Sequence, residues 1–233
     1  MKLREFLIGT AMMSFSLVSA NAVMPTVPST LITDDKILAS AYYDTLSILS
    51  TPNECSDFFG GPSASVEIFN GLIGKVRKTY LQPSIAIRMT GAVVSGFHAT
   101  NRTTYRLFDK VQINGNGPFY RKKNSPWDPA VRGVGTFAPN TKEARVLMFL
   151  HELGHIVKGA GGEWLLPDDG GDEALSRDNT RKIEEVCGGQ IKNLGKGDTL
   201  MASAIGKHTG EKRDSHTSGA PPMETPNVSN PKP

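Results

Sequence analysis

The sequence predicts an α+β fold. Apolar residues recur at helical spacing near both ends, while the middle of the chain switches to strict alternation punctuated by Gly, Asn and Pro. A third observation is the run over 147–157, apolar nearly all round, which predicts a buried central helix. The architecture expected is N-terminal helices, a small antiparallel sheet, a buried helix and a C-terminal helix.

The first helix begins behind Asp34-Asp35, a cap-competent pair, and carries Ile37, Leu38, Ala41, Tyr42, Leu46 and Leu49 at helical spacing until Pro52. A second is expected over 65–80, with Val66, Phe69, Leu72, Ile73 and Val76 on one face. Ser84 to Met89 then reads as a short strand. In the next run Tyr105, Leu107, Val111 and Ile113 alternate with Arg106, Lys110 and Gln112. Asn114-Gly115-Asn116-Gly117 is turn chemistry, since Gly and Asn tolerate positive φ, so a hairpin returning through Phe119-Tyr120 is expected. A loop over 124–129 leads to a further strand over 131–137. Asn140, with Glu143 three residues on, reads as a capping box for the central helix, which Gly159 stops. Ser176 caps a last helix carrying Thr180, Ile183, Val186, Cys187, Ile191 and Leu194.

Both ends fall outside this fold. Lys2 and Arg4, the apolar stretch from Phe6 to Val18 and the small-x-small site Ala20-Asn21-Ala22 make residues 1–22 a secretory leader. Residues 207–233 contain no Ile, Leu, Phe, Trp or Tyr and cannot offset their ordering entropy by burial. That leaves 23–206 as the folded domain, with no second apolar run for stable membrane insertion after leader removal. Periplasmic or extracellular residence follows.

The 233 residues hold 26 Lys+Arg against 23 Asp+Glu, a net charge of +3, which gives no footprint for nucleic acid. Two cysteines exclude a disulfide-dense scaffold and a four-cysteine metal site. In an exported protein Cys55 and Cys187 are most simply a disulfide holding the last helix to the N-terminal region.

Five histidines are present, and their placement matters more than their number. His208 and His216 lie in the tail, and His98 follows Gly96-Phe97 as a candidate, with Tyr105 and Tyr120, for polarising a carbonyl. His151 and His155 flank Glu152 in the sequence His-Glu-Leu-Gly-His. Residues four apart share a helix face, so both imidazoles can reach one ion, and imidazole suits zinc. Glu152 is offset by one residue, where a carboxylate can take a proton from water. Burying these three groups without a partner would be costly, and a metal satisfies them.

This helix resembles the active-site helix of the zincin metallopeptidases, over fewer than twenty residues. The resemblance implies zinc on His151 and His155, Glu152 as general base, and a peptide or protein substrate. It also implies a sheet whose edge strand pairs with an extended peptide, which the expected hairpin can supply. The metzincin extension would need Gly at 158 and His at 161, and this chain has Lys158 and Gly161. Without a third ordered histidine downstream, the third ligand is a carboxylate: Glu163, Asp168, Asp169, Asp172, Glu173, Glu184 or Glu185. Glu173, in GDEALS, has some likeness to the gluzincin Glu-Ala-x-Ser pattern. The turn Leu166-Pro167-Asp168-Asp169-Gly170-Gly171 is favoured, because its glycines let the backbone bring a short carboxylate close. Asp169, bordering the glycines, is preferred over Asp168. The same acidic turn has two other readings, a calcium loop and a solvated surface.

The expectation is therefore an exported zinc-dependent metallohydrolase, a peptidase by resemblance. The alternative is a catalytically inert zincin-like structural or binding module in which zinc only stabilises the fold.

Overall fold

The computed structural model describes residues 34–82, 85–122, 131–194 and 196. The expected leader, the 124–129 loop and the C-terminal tail lie outside these residues. The chain forms two units, Met1–Lys192 and Asn193–Pro233, and every element below belongs to the first.

Helix α1 spans Lys36–Leu49, and the Asp35 side chain accepts from the Ile37 and Leu38 N–H groups at its start, as its sequence implies. A short α2, Glu54–Phe58, follows behind an Asn53/Ser56 capping box. Next comes α3, Pro62–Ile73, with proline in its first turn. The helix expected over 65–80 is thus corrected at its C-terminal end. It stops at Gly74, and Val76–Thr79 form a strand, β1.

The sheet differs from expectation in both turn and topology. Strands β2 (Ile87–His98) and β3 (Thr103–Asn114) form one antiparallel hairpin whose turn is Ala99 to Arg102. Arg102 there holds a positive φ of 52°. β1 pairs with the far end of β3 in parallel, Val76 opposite Val111, so the three-stranded sheet is mixed, ordered β1-β3-β2.

The Asn-Gly-Asn-Gly stretch is no hairpin turn. Asn114 is fully buried, its Nδ2 donates to the carbonyls of Gln82 and Ile85, and its Oδ1 accepts from the Leu81 and Asn116 N–H groups. One side chain ties two loops together, with all four of its hydrogen-bonding capacities used. Phe119 and Tyr120 lie in turn structure, and over 131–137 there is only an isolated Val134–Phe137 bridge in place of the expected strand.

Helix α4, Lys142–Ile156, is the centre of the domain and contacts α1, α3, α5 and β3. Eleven of its fifteen residues are buried, consistent with an apolar sequence on all sides. Thr141, not Asn140, caps it, its hydroxyl accepting from the Ala144 N–H. An aromatic chain joins the layers. Tyr42 stacks on Phe69 at 5.7 Å, Phe69 meets Phe149 edge-on at 5.6 Å, and Phe149 meets Phe119 at 5.3 Å. Each such pair contributes roughly 0.5–1.5 kcal/mol beyond burial.

Helix α5, Glu173–Lys192, starts four residues earlier than a Ser176 cap would place it, because Asp172 accepts from the Ala174 and Leu175 N–H groups. Cys187 on α5 is bridged to Cys55 on α2, both fully buried, so the expected disulfide is present.

Candidate metal centre

The C-terminal half of α4 carries His151 and His155 on one face, one turn apart. Their Nε2 atoms lie 3.0 Å apart. Immediately after the helix the chain turns back. Val157 bridges Tyr105 of β3, the Lys158 N–H donates to the Thr104 carbonyl, and Arg106 Nε donates to the carbonyl of His155 itself. The Arg106 guanidinium also lies over the Trp164 ring, 4.2 Å from its centroid. The sheet therefore fixes the end of α4 that bears the second histidine.

The loop that follows is pulled onto the back of α4. Leu165 N–H donates to Val157 O, and Leu166 N–H to Gly154 O. Asn179 on α5 donates to the Pro167 carbonyl, and Lys182 to that of Leu165. These bonds deliver Asp169 to the histidines: its Oδ2 lies 3.3 Å from His151 Nε2 and 3.5 Å from His155 Nε2. His151, His155 and Asp169 are the three residues that the described structure assembles into a group able to hold a metal ion.

The separations test whether such an ion fits. Tetrahedral ligands at zinc distances of about 2.0–2.1 Å stand about 3.3 Å from one another. The observed edges of 3.0, 3.3 and 3.5 Å bracket that value. Two imidazole nitrogens and one carboxylate oxygen are also a donor set suited to zinc.

Charge follows from the same contacts. Burial alone would raise the Asp169 carboxyl, but His151, His155 and Ser176 bonding to it hold it well below the usual carboxylate range. Burial would lower His155, yet contact with Asp169 and the charge of Glu152 raise it. Burial pushes Glu152 up, opposed by both histidines and reinforced by Asp169. His155 Nδ1 is buried with no hydrogen-bond partner among the described residues.

The other carboxylates are engaged elsewhere. Asp168, the second choice for third ligand, is exposed and turned to the Gly170 N–H, so the structure selects Asp169. Glu173 is paired with Arg132 and Arg177, Asp172 caps α5, and Glu184 accepts from the Thr136 N–H and hydroxyl. Glu163 and Glu185 are exposed. With its carboxylates facing separate partners, the acidic turn forms no shared oxygen cage for calcium.

Of the candidate carbonyl-polarising groups, His98 is buried against α3, near Glu67 at 3.3 Å and Ser63 at 3.4 Å. Tyr120 donates to Asp35 at the start of α1. A residue not singled out from sequence does touch the centre: Thr180 of α5, whose hydroxyl lies 3.0 Å from His151 Nδ1. Its only signal was a hydroxyl in an otherwise apolar stripe.

Comparison of the chain with protein-family models, with curated proteins and with solved structures finds no match in any of the three.

Proposed function

We propose that this chain is an exported zinc-dependent metallohydrolase, most simply a peptidase of the zincin type. The carrying observation is the triangle of His151 Nε2, His155 Nε2 and Asp169 Oδ2 at zinc-compatible separations, beside a glutamate in a buried helix. Three protein ligands with one position left over is the catalytic pattern, whereas structural zinc takes four. Among the described residues no fourth His, Cys, Asp or Glu joins the group, which favours the hydrolase over an inert zinc-stabilised module.

A zinc ion held there supplies Lewis acidity and makes water a nucleophile near neutral pH. The chain's own residues do the rest. Glu152, half-buried and electrostatically coupled to both histidines, accepts the proton of the attacking water and passes it to the leaving amine. Arg106 holds the His155 end of the helix in place. β2 is an edge strand with Val93, Val94 and Phe97 exposed, and offers backbone groups to an extended peptide.

Export is supported by the fully buried disulfide, which belongs in an oxidising compartment. Among the described residues no helix is long and apolar enough to cross a membrane.

The test is metal content and proteolysis of the purified chain beside Glu152→Gln. One zinc per chain in both proteins, with hydrolysis of an unfolded protein substrate lost by roughly 10²–10⁴-fold in the variant, is expected. Absence of zinc from the wild-type chain would end the reading. Equal hydrolysis by the variant would remove Glu152 as base.

A further inference from the structure

We propose that Thr180 is the positioning residue of this centre, fixing the tautomer of His151 so that its Nε2 lone pair faces the metal. The inference rests on the metal-site reading above and concerns what orients one ligand within it.

A threonine hydroxyl has a single proton to donate and lone pairs to accept with. The Thr180 hydroxyl is 2.8 Å from the Ser176 carbonyl one turn back in α5, so its proton is spent there. Toward His151 Nδ1, 3.0 Å away, it can then act only as acceptor. Nδ1 must carry the hydrogen, and in the neutral ring Nε2 is left as a bare lone pair.

That lone pair points into the group formed with Asp169 and His155. Thr180 is therefore joined to the site through His151, and α5 reaches the ion by way of a hydroxyl relay. The backbone supports this geometry. The β-branched side chain of Thr has few χ1 options in a helix, and bonding the carbonyl four residues back selects one of them. Asn179 next to it anchors the Asp169 loop through the Pro167 carbonyl, so one turn of α5 organises two of the three ligands.

The two histidines are not equivalent. Among the described residues His155 Nδ1 has no partner, while its Nε2 faces Asp169 Oδ2 at 3.5 Å, which favours hydrogen on Nε2. In the metal-free chain its Nε2–H can donate to the His151 lone pair 3.0 Å away. The ordinary preference of imidazole for hydrogen on Nε2 and the Asp169 Oδ2 3.3 Å away both favour Nε2–H at His151, so an Nδ1–H form there is a signature that the Thr180 contact must enforce.

The experiment uses the full chain as wild type, Thr180→Val and Thr180→Ser, stripped of metal. Long-range ¹H–¹⁵N spectra at about pH 8, above the ordinary histidine range, read the tautomers. Competition with a chromophoric chelator reads zinc affinity. The wild type is expected to hold His151 as Nδ1–H. Thr180→Val should shift it toward Nε2–H and weaken zinc binding by roughly 10–100-fold, with Thr180→Ser restoring both. An Nε2–H tautomer at His151 in the wild type overturns the proposal even if the valine variant does not fold. So does a folded valine variant that binds zinc as tightly as wild type. A wild type that binds no zinc but holds His151 as Nδ1–H would instead defeat the metal reading and leave the Thr180 contact standing.

Discussion

Leu166 packs on the bare α-carbon of Gly154, so closely that a Cβ there would come within 2.6 Å of Leu166 Cδ1 and 3.3 Å of Ile183 Cδ1. The position between Leu153 and His155 thus accepts the loop that carries Asp169. Two effects compete at this site. In an exposed helix Gly→Ala gains about 1 kcal/mol of propensity. Here the added methyl also overpacks a full contact, which typically costs about 1–3 kcal/mol. The contact should win: Gly154→Ala is expected to lower the midpoint of urea unfolding and to weaken zinc binding by displacing the Leu166 loop. A raised midpoint would show that the loop yields freely.

Neighbouring aspartates separate cleanly by direction. Asp169→Asn keeps the shape of the loop but removes the anionic ligand, and should cost at least about a hundredfold in zinc affinity. Asp168→Asn changes an exposed residue whose side chain, among the described residues, bonds the turn's own Gly170 N–H, and should stay within about threefold. Titration against a competing chelator ranks the two. The reverse ranking would reassign the ligand.

The central helix, its two histidines, the acidic turn and the disulfide were legible because each is carried by local pattern or by a scarce residue type. The sheet was not. Asn114-Gly115-Asn116-Gly117 has the chemistry of a hairpin turn, but Asn114 finds three of its four partners in a loop about thirty residues earlier and becomes a buried clasp. The true turn contains no glycine and places Arg102 at positive φ, against its local preference. Val76–Thr79 read as helix because their strand partners, Val111–Asn114, are distant in the chain. Thr180 escaped for a related reason: what marks it is a contact across two helices, not its neighbours.

The Cys55–Cys187 bridge closes a span of 132 residues. Its replacement by a pair of alanines is expected to cost on the order of 2–5 kcal/mol, read by urea unfolding under non-reducing conditions. Both sulfurs are fully buried, so reduction of the native wild type should be slow until unfolding exposes them. Rapid reduction without loss of structure would contradict this packing.

Asp35 gives a pH dependence remote from the candidate metal centre. Burial would raise its carboxyl, but the Leu38 N–H, the Tyr120 hydroxyl and Lys78 together hold it below the ordinary value of about 3.9. A depressed folded-state pKa means stabilisation that is fully present above the unfolded value and is lost as pH falls through the folded one. Asp35→Asn should therefore be less stable than wild type at neutral pH, and the gap should narrow in acid below about pH 4. Denaturant midpoints of both proteins across that range check the sign. A gap constant with pH would show that the charge of the Asp35 carboxylate contributes nothing to stability there.

Thr180 stands only 29 residues beyond His151, whereas the cystines are 132 apart. In the unfolded chain the two closures are unequal: the shorter one costs about 1.3 kcal/mol less in loop entropy. The three candidate ligands and the hydroxyl behind them are therefore a cassette that can assemble from one contiguous stretch, ahead of the crosslink. The disulfide would then close over a ligand group already assembled within that stretch.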